Sequence, residues 1–150
     1  MKSFWNMFAG LIAIFIGLVY YNYSLSRKGF VATKNSIVGI NLTSLPKPAQ
    51  FASPASFTWE ISSTKDFKTN FTTIYYGFTS TPSALTKKDS PSAVGYPYLT
   101  IDYLQGSFSL PDTFSTNIFF NKPGRVWYRA YAKVGDDHLW TEEKYIDVLP

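Results

Sequence analysis

The chain has 150 residues, of which 19% are aromatic and 16% are charged, and it contains one histidine and no cysteine. This balance excludes intrinsic disorder, which requires few apolar and many charged residues. The lack of cysteine excludes a disulfide scaffold, a thiol nucleophile and cysteine-ligated metals, and the single histidine excludes a site built on two imidazoles.

The net charge of +4 is unevenly distributed along the chain. Lys2, Arg27 and Lys28 flank an apolar amino-terminal segment, and the other residues carry eleven basic and ten acidic side chains. Beyond Lys28, like charges are adjacent only in pairs. A nucleic-acid surface requires a basic patch or stripe, so we expect no nucleic-acid partner.

The first predicted element is a transmembrane α-helix over residues 1–26, acting as an uncleaved signal-anchor. Residues 3–26 form a stretch of 24 residues without a charge, and about 20 apolar residues span a bilayer core. Aromatic side chains, which favour the membrane interface, lie at both ends: Phe4, Trp5, Tyr20, Tyr21 and Tyr23. We therefore expect residues 4–25 to contact the lipid bilayer.

Two alternatives for this segment remain open, namely a cleaved signal peptide and a pilin-like assembly helix. The apolar run is longer than the 7–15 residues that are typical of signal peptides. The charges that flank it weakly favour a cytoplasmic carboxyl-terminal part. The Asn-x-Ser/Thr acceptor sites at Asn41 and Asn70 are compatible with export. We expect the carboxyl-terminal part to lie outside the cytoplasm.

Residues 27–55 are predicted to form a stalk or linker. They contain Pro46, Pro48 and Pro54 and show no helical period, and proline-containing linkers are stiff. Residues 36–43 are β-prone, so the alternative is that they already form a first or edge strand of the following domain.

From residue 56 onward, apolar residues alternate with polar ones, which is the period of a β-strand. The rows predicted to face a core are Phe57, Trp59 and Ile61; Ile74, Tyr76 and Phe78; Phe114, Ile118 and Phe120; Val126, Tyr128, Ala130, Ala132 and Val134; and Ile146 with Val148. Residues 121–124 and 135–137 have the composition of turns. Short alternating strands without an amphipathic helix predict an all-β sandwich or barrel over residues 56–150.

Three stretches of this region resemble a fibronectin type III module, within the immunoglobulin-like class. Residues 57–60 are similar to the second strand of the family with its core Trp59, residues 74–77 to the third strand, and residues 128–143 to the final hairpin. Residues 79–112 are long for the family and carry four prolines. The resemblance implies a β-sandwich that binds or spaces other proteins and has no catalytic residues.

The residues that could serve in catalysis or metal binding have simpler structural roles. His138 lacks a recognisable partner for acid–base work, so we expect a solvated turn histidine. Asp136 and Asp137 are too few for the six or more oxygen ligands of calcium. Glu142 and Glu143 point to opposite faces of a strand. We therefore predict a non-enzymatic protein without metal or cofactor.

The candidate binding residues are the aromatic and basic side chains predicted to lie on the outside of the sheet. If Tyr128 and Ala130 face the core, then Trp127, Arg129 and Tyr131 face outward, and Tyr75 joins them from the neighbouring strand. Such a face has the composition of a protein or glycan contact surface. The alternative is that these cross-strand aromatic pairs only stabilise the sheet.

A second set of candidate contacts lies in the long segment 82–112. Tyr96 and Tyr98 flank Pro97, and long structured loops are often functional. The alternative is that this segment carries a strand and closes one side of the sandwich.

These expectations describe a single-pass membrane protein whose extracytoplasmic β-sandwich binds a protein partner or serves as an accessory subunit of a cell-envelope assembly. Two alternatives remain, a filament subunit assembled through the amino-terminal helices and a glycan-binding surface module.

Overall fold

A computed structural model describes residues 37–44, 46 and 48–150. Strands contain 56% of these residues. The elements are β1 (Val38–Ser44), β2 (Ala49–Gln50), β3 (Pro54–Ser63), β4 (Phe67–Thr69), β5 (Phe71–Gly77), α1 (Pro91–Val94), β6 (Tyr98–Leu99), β7 (Phe108–Leu110), β8 (Asp112–Phe119), β9 (Gly124–Val134), β10 (Asp137–Trp140) and β11 (Lys144–Leu149). The prediction of an all-β fold is confirmed for this part of the chain.

The predicted transmembrane helix at residues 1–26, and the stalk up to residue 36, lie outside the described residues. Within the ranges that the structure describes, no helix combines the length and the apolar character needed to cross a membrane.

The strands form two main sheets and one short antiparallel pair. Sheet A has the order β1-β3-β8, and its strands are antiparallel. Sheet B has the order β2-β11-β9-β5-β6. The short strand β10 also pairs with β9, along residues 131–134, whereas β11 pairs with residues 124–128. All its pairs are antiparallel except β2 with β11. The pair β4-β7 is separate.

The two sheets share one hydrophobic core, to which the predicted inward rows contribute. Phe57, Trp59 and Ile61 on β3 are fully buried, as are Val126 and Ala130 on β9. The Phe57 and Tyr128 rings meet edge to face with centroids 4.8 Å apart, which is a preferred geometry for aromatic pairs. Because β3 and β9 belong to different sheets, this contact shows two layers packed face to face, as in a β-sandwich.

The β-unit begins earlier than the predicted boundary at residue 56. Strand β1 pairs with β3 from Val38↔Ser63 to Ser44↔Thr58, and its Ile40 is buried in the shared core. The residues between Ser36 and Pro150 form one compact unit. Among the described residues, main-chain pairing and core burial both start at β1. Residues 38–44 form an edge strand of sheet A, which is the alternative that the sequence left open for residues 36–43.

The long segment between β5 and β8 is ordered against the sandwich and carries α1, β6 and β7. Its Tyr103 ring lies 5.9 Å from Trp59 and 5.2 Å from Phe114, edge to face in both cases. The Tyr103 hydroxyl also donates a 2.9 Å hydrogen bond to the Ser115 carbonyl. This matches the alternative in which the segment carries a strand and closes one side of the core.

Candidate binding surfaces

The four residues of the predicted aromatic face do lie on one face, the outer side of sheet B. Tyr75 is paired with Arg129, and Tyr131 and Trp127 are paired with Thr73 and Gly77 on β5. The expected exposure is wrong for three of them, since Tyr75 is 6%, Arg129 4% and Tyr131 1% exposed. Trp127 alone of the four is partly exposed.

The outer face is covered by the Trp140 side chain of β10 and by the segment that follows β5. The Trp140 ring lies 4.6 Å from that of Tyr131, and its indole N–H donates a 2.8 Å hydrogen bond to the Asp89 carbonyl. Strand period predicts which side of a sheet a residue faces but not which distant segment lies over it. A glycan-binding role for Tyr131 therefore loses its basis, because no sugar reaches a buried ring.

Arg129 binds the segment that follows β5 to the outer face of sheet B. Its guanidinium donates hydrogen bonds to three main-chain carbonyls, those of Thr141 at 3.0 Å, Thr81 at 2.9 Å and Ser83 at 3.1 Å. Its Nε is buried and has no hydrogen-bond partner among the described residues. A planar guanidinium has five donors in a fixed fork, so it can hold several carbonyls at once. The structural role of Arg129 is thus to anchor a loop.

Glu143 lies beside this anchor because the last strand is interrupted. Three residues, 141–143, stand between the pairs Trp140↔Tyr131 and Lys144↔Tyr128, opposite only two residues of β9. Such an extra residue is a β-bulge, which re-aims side chains. The Glu143 carboxylate accepts hydrogen bonds from the hydroxyls of Ser80, Thr81 and Tyr96 and from the Thr81 N–H.

These contacts shift the pKa values of Glu143 and Tyr96. Burial acts to raise the pKa of Glu143, but the hydrogen bonds from Ser80, Tyr96 and Thr81 outweigh it and hold that pKa below its usual range. Burial, together with the bond to Glu143, raises the pKa of Tyr96 to about 12. Tyr96 is a buried partner of Glu143, so it is not available as the candidate loop contact. Tyr98 is 44% exposed and remains available.

The other residues considered for chemistry take part in local contacts. His138 is half-buried, and its Nδ1 forms a 2.7 Å hydrogen bond with the Tyr131 hydroxyl, so it is not the solvated turn residue that we expected. Asp137 forms a 2.8 Å ion pair with Lys87. Within residues 37–44 and 48–150, no three His, Asp or Glu side chains are grouped closely enough to hold a metal ion.

An exposed groove bordered by two large apolar side chains lies elsewhere, between β6 and β8, and we call it the β6–β8 groove. Its volume is about 250 Å³, and its lining residues are Tyr76, Leu99, Thr100, Ile101, Asp102, Asn117, Ile118 and Phe119. A smaller depression lined by Tyr76, Phe78, Tyr98, Phe119, Phe120 and Asn121 continues it. Ile101 is 78% and Phe119 66% exposed. Contiguous exposed apolar groups of this kind mark interaction surfaces.

The sequence indicates only one side of this groove. Phe119 stands between the inward residues Ile118 and Phe120, so the strand period already placed an aromatic ring on the outside. Ile101 lies in the long segment between β5 and β8, where no strand period indicates which way its side chain points. The two lie on β8 and next to β6, which come together only in the folded chain.

No protein-family model, no curated protein and no solved structure matches this chain.

Proposed function

We propose that this chain is a single-pass membrane protein whose β-unit holds a protein partner outside the cytoplasm, as a binding module or accessory subunit of a cell-envelope assembly. The observation that carries the proposal is the β6–β8 groove, where Ile101 and Phe119 expose large apolar side chains. Exposing such groups to water is unfavourable, and a protein partner that covers them recovers this free energy.

The strand arrangement supports a fibronectin type III-like module. The stretch with the core Trp59 became β3 of sheet A, whereas the stretches resembling the third strand and the final hairpin became β5, β9 and β10 of sheet B. Strand β5 is hydrogen-bonded to β9, as the resemblance implies. Modules of this kind bind or space other proteins, which fits a non-enzymatic role.

The membrane location is supported by the sequence of residues 3–26, which contains 24 residues without a charge. Anchoring would confine the β-unit to the membrane surface and raise its effective concentration near a membrane-bound partner. A contact of modest area then suffices. The acceptor residues Asn41 and Asn70 are both exposed, as glycosylation of an exported domain requires.

The test is the location of the β-unit in the native host. Full-length protein with a carboxyl-terminal tag is fractionated, washed with alkaline carbonate, and exposed to protease on intact cells. We expect carbonate-resistant membrane association and loss of the tag to external protease. A tag protected from protease in intact cells, a protein released by carbonate, or a mature chain beginning near Arg27 would contradict the proposal.

The matched control is the double variant L11R/I16R, which places two charges in the apolar run. An arginine at the centre of a membrane helix costs about 2.5–3.5 kcal/mol. This variant should leave the membrane fraction while the β-unit keeps its far-UV circular dichroism. If it stays in the membrane like the wild type, residues 3–26 are not the anchor.

A further inference from the structure

We infer that two copies of this chain associate by pairing their β1 strands, antiparallel about a two-fold axis at Ile40. The inference goes beyond the proposed function, which concerns a different protein. Strand β1 is one edge of sheet A, whose order is β1-β3-β8. The pairing joins the two copies of sheet A into one continuous sheet, and it leaves the β6–β8 groove free because β8 is the opposite edge.

The contacts of Ile37 show which main-chain groups of β1 are bonded to β3. The Thr64 N–H donates a 3.3 Å hydrogen bond to the Ile37 carbonyl, and the Ile37 N–H donates a 3.2 Å bond to the Thr64 hydroxyl. Thr64 directly follows β3. The main-chain groups of residues two apart point to the same side of a strand, so those of Gly39 and Asn41 also point toward β3.

The alternate residues Val38, Ile40 and Leu42 therefore direct their N–H and C=O groups to the free side of β1. In the part of the chain that the structure describes, none of these groups has a hydrogen-bond partner. Such an edge is a template for another strand, and natural edges are protected by charged side chains, proline or a bulge. Residues 38–42 contain no charge and no proline, and the bulge follows Leu42.

A second copy of β1 fits this edge because the three free residues are placed evenly about Ile40. In an antiparallel pair with Ile40 on the axis, Val38 lies opposite the partner's Leu42, and Ile40 lies opposite the partner's Ile40. Residues of a hydrogen-bonded pair exchange both of their N–H···O bonds, so every free group of residues 38, 40 and 42 is satisfied. A two-fold contact of this self-complementary kind is the commonest in protein oligomers.

The side chains agree with this register. Val38, Ile40 and Leu42 pack against the shared core, and side chains of directly opposite residues lie on the same face of a sheet. The partner's apolar side chains therefore continue the inner face. On the outer face, Asn41 lies opposite the partner's Gly39, which has no side chain to obstruct it.

Space for the second strand exists beside β1. An opening of about 370 Å³ is lined by Ile40 and Leu42 of β1 together with Trp140 and the residues that follow it, and by no residue of β3. It therefore lies on the side of β1 away from β3. Its two charged lining residues, Glu142 and Lys144, form a 3.5 Å ion pair with each other, so an uncharged strand meets no unpaired charge there.

The experiment uses the absence of cysteine from this chain. Full-length G39C and N41C proteins with different tags are co-expressed, and their membranes are oxidised with copper phenanthroline. Opposite residues that are not hydrogen-bonded have Cα atoms about 4.5 Å apart, which is within the range of a disulfide. A Cβ at Gly39 would meet the Ser62 hydroxyl at 3.1 Å, and this small side chain can rotate away.

We expect a disulfide-linked dimer that carries both tags. Its yield should exceed about tenfold that of G39C or N41C expressed alone, because like positions are diagonal neighbours about 7–8 Å apart. The matched control for random collision is G39C with Y145C, since Tyr145 is 51% exposed on sheet B.

The decisive variant is V38P, made in both cysteine proteins. Proline removes one N–H from the free edge of each copy, and it is tolerated as the first residue of a strand. The yield of the mixed disulfide should fall about tenfold, since two of the shared hydrogen bonds are lost. V38A is the control, because it shortens the side chain but keeps the N–H.

A second measurement keeps the test sharp if V38P disturbs folding, as judged by circular dichroism. In sedimentation equilibrium of the full-length protein in detergent, N41K places two like charges about 7–8 Å apart across the axis. The dimer fraction should fall severalfold in N41K and stay unchanged in N41Q, which is neutral.

Three results overturn the inference. They are a mixed disulfide no more abundant than that of G39C with Y145C, a disulfide of N41C alone that exceeds the mixed one, and dimerisation unchanged in V38P and N41K. A β-unit that is outside the cytoplasm but gives no mixed disulfide defeats β1 pairing alone. A cytoplasmic β-unit defeats the proposed function, and the mixed disulfide still decides β1 pairing.

Discussion

The link between the two sheets at Trp59 offers the most direct test of the fold. The Trp59 indole N–H donates a 2.8 Å hydrogen bond to the Thr72 hydroxyl, and that hydroxyl donates at 2.7 Å to the Tyr131 carbonyl. One buried hydroxyl thus connects β3 of sheet A to β9 of sheet B through β5. Trp59 is fully buried and stacks on Phe114 with ring centroids 5.8 Å apart.

The expected magnitudes follow from these contacts. W59A removes a buried aromatic side chain and should lower the free energy of unfolding by about 3–5 kcal/mol, out of about 5–15 kcal/mol for a typical domain. T72V keeps the shape of the side chain but leaves the indole N–H without a partner, which costs about 1–3 kcal/mol. W59F removes that N–H together with part of the ring and should cost about 2 kcal/mol.

The double variant W59F/T72V separates packing from hydrogen bonding. The double variant contains no unpaired indole N–H. Its loss of unfolding free energy should therefore be smaller than the sum of the losses in the two single variants by about 1 kcal/mol. The assay is urea denaturation of the full-length protein in detergent, followed by far-UV circular dichroism because the substitutions change tryptophan fluorescence.

Two results would refute this reasoning. If the loss in W59F/T72V equals the sum of the losses in W59F and T72V to within about 0.3 kcal/mol, the indole and the hydroxyl are not coupled. A cost for W59A of less than about 1 kcal/mol would show that Trp59 is not a core residue, and the orientation of β3 would then be wrong.

The remaining predictions concern the polar contacts around the outer face of sheet B. R129A leaves three loop carbonyls without their donor, so it should cost about 3 kcal/mol and speed hydrogen exchange and proteolysis in residues 79–90. The pKa of Glu143 is lowered in the folded state, so its stabilising effect is present above the ordinary carboxyl pKa and is lost as pH falls through the folded pKa. The difference in urea midpoint between wild type and E143Q should therefore be largest near neutral pH and shrink in acid, and a constant difference would contradict this. Burial raises the pKa values of Tyr96, Tyr128 and Tyr131 to about 12, so stability should fall as pH rises above the ordinary value of 10. An absorbance titration at high pH should show a late-ionising group of tyrosines, and ionisation of all tyrosines together near pH 10 in the folded protein would contradict it.

The inward faces of the strands were predictable because side-chain alternation is a local property of an extended chain. Phe57, Trp59 and Ile61 had to share a side of β3, whichever segment packs against them. The turn at Gly135 was predictable for the same local reason. Its positive φ of 59° is accessible to glycine without steric cost, and β9 and β10 pair directly across this turn.

The burial of the outer face of sheet B was not predictable from the strand period. Tyr75, Arg129 and Tyr131 point to the predicted side, yet they are buried because residues 81–96 and Trp140 lie over them. Their cover depends on main-chain carbonyls at positions 81, 83 and 89, which any residue type can supply. The bulge that brings Glu143 to Tyr96 likewise leaves no distinct pattern in the sequence.

The sequence by itself determined the alternation of the strands, the aromatic core and the uncharged run at residues 3–26, since each depends on neighbours along the chain. Only the tertiary structure decided that β1 belongs to the sandwich, that the predicted aromatic face is covered, and that a groove bordered by exposed apolar side chains opens between β6 and β8. These features depend on contacts between residues far apart in sequence, such as Leu99 and Phe119. Such contacts are set by how the whole chain packs, and a local pattern does not encode them.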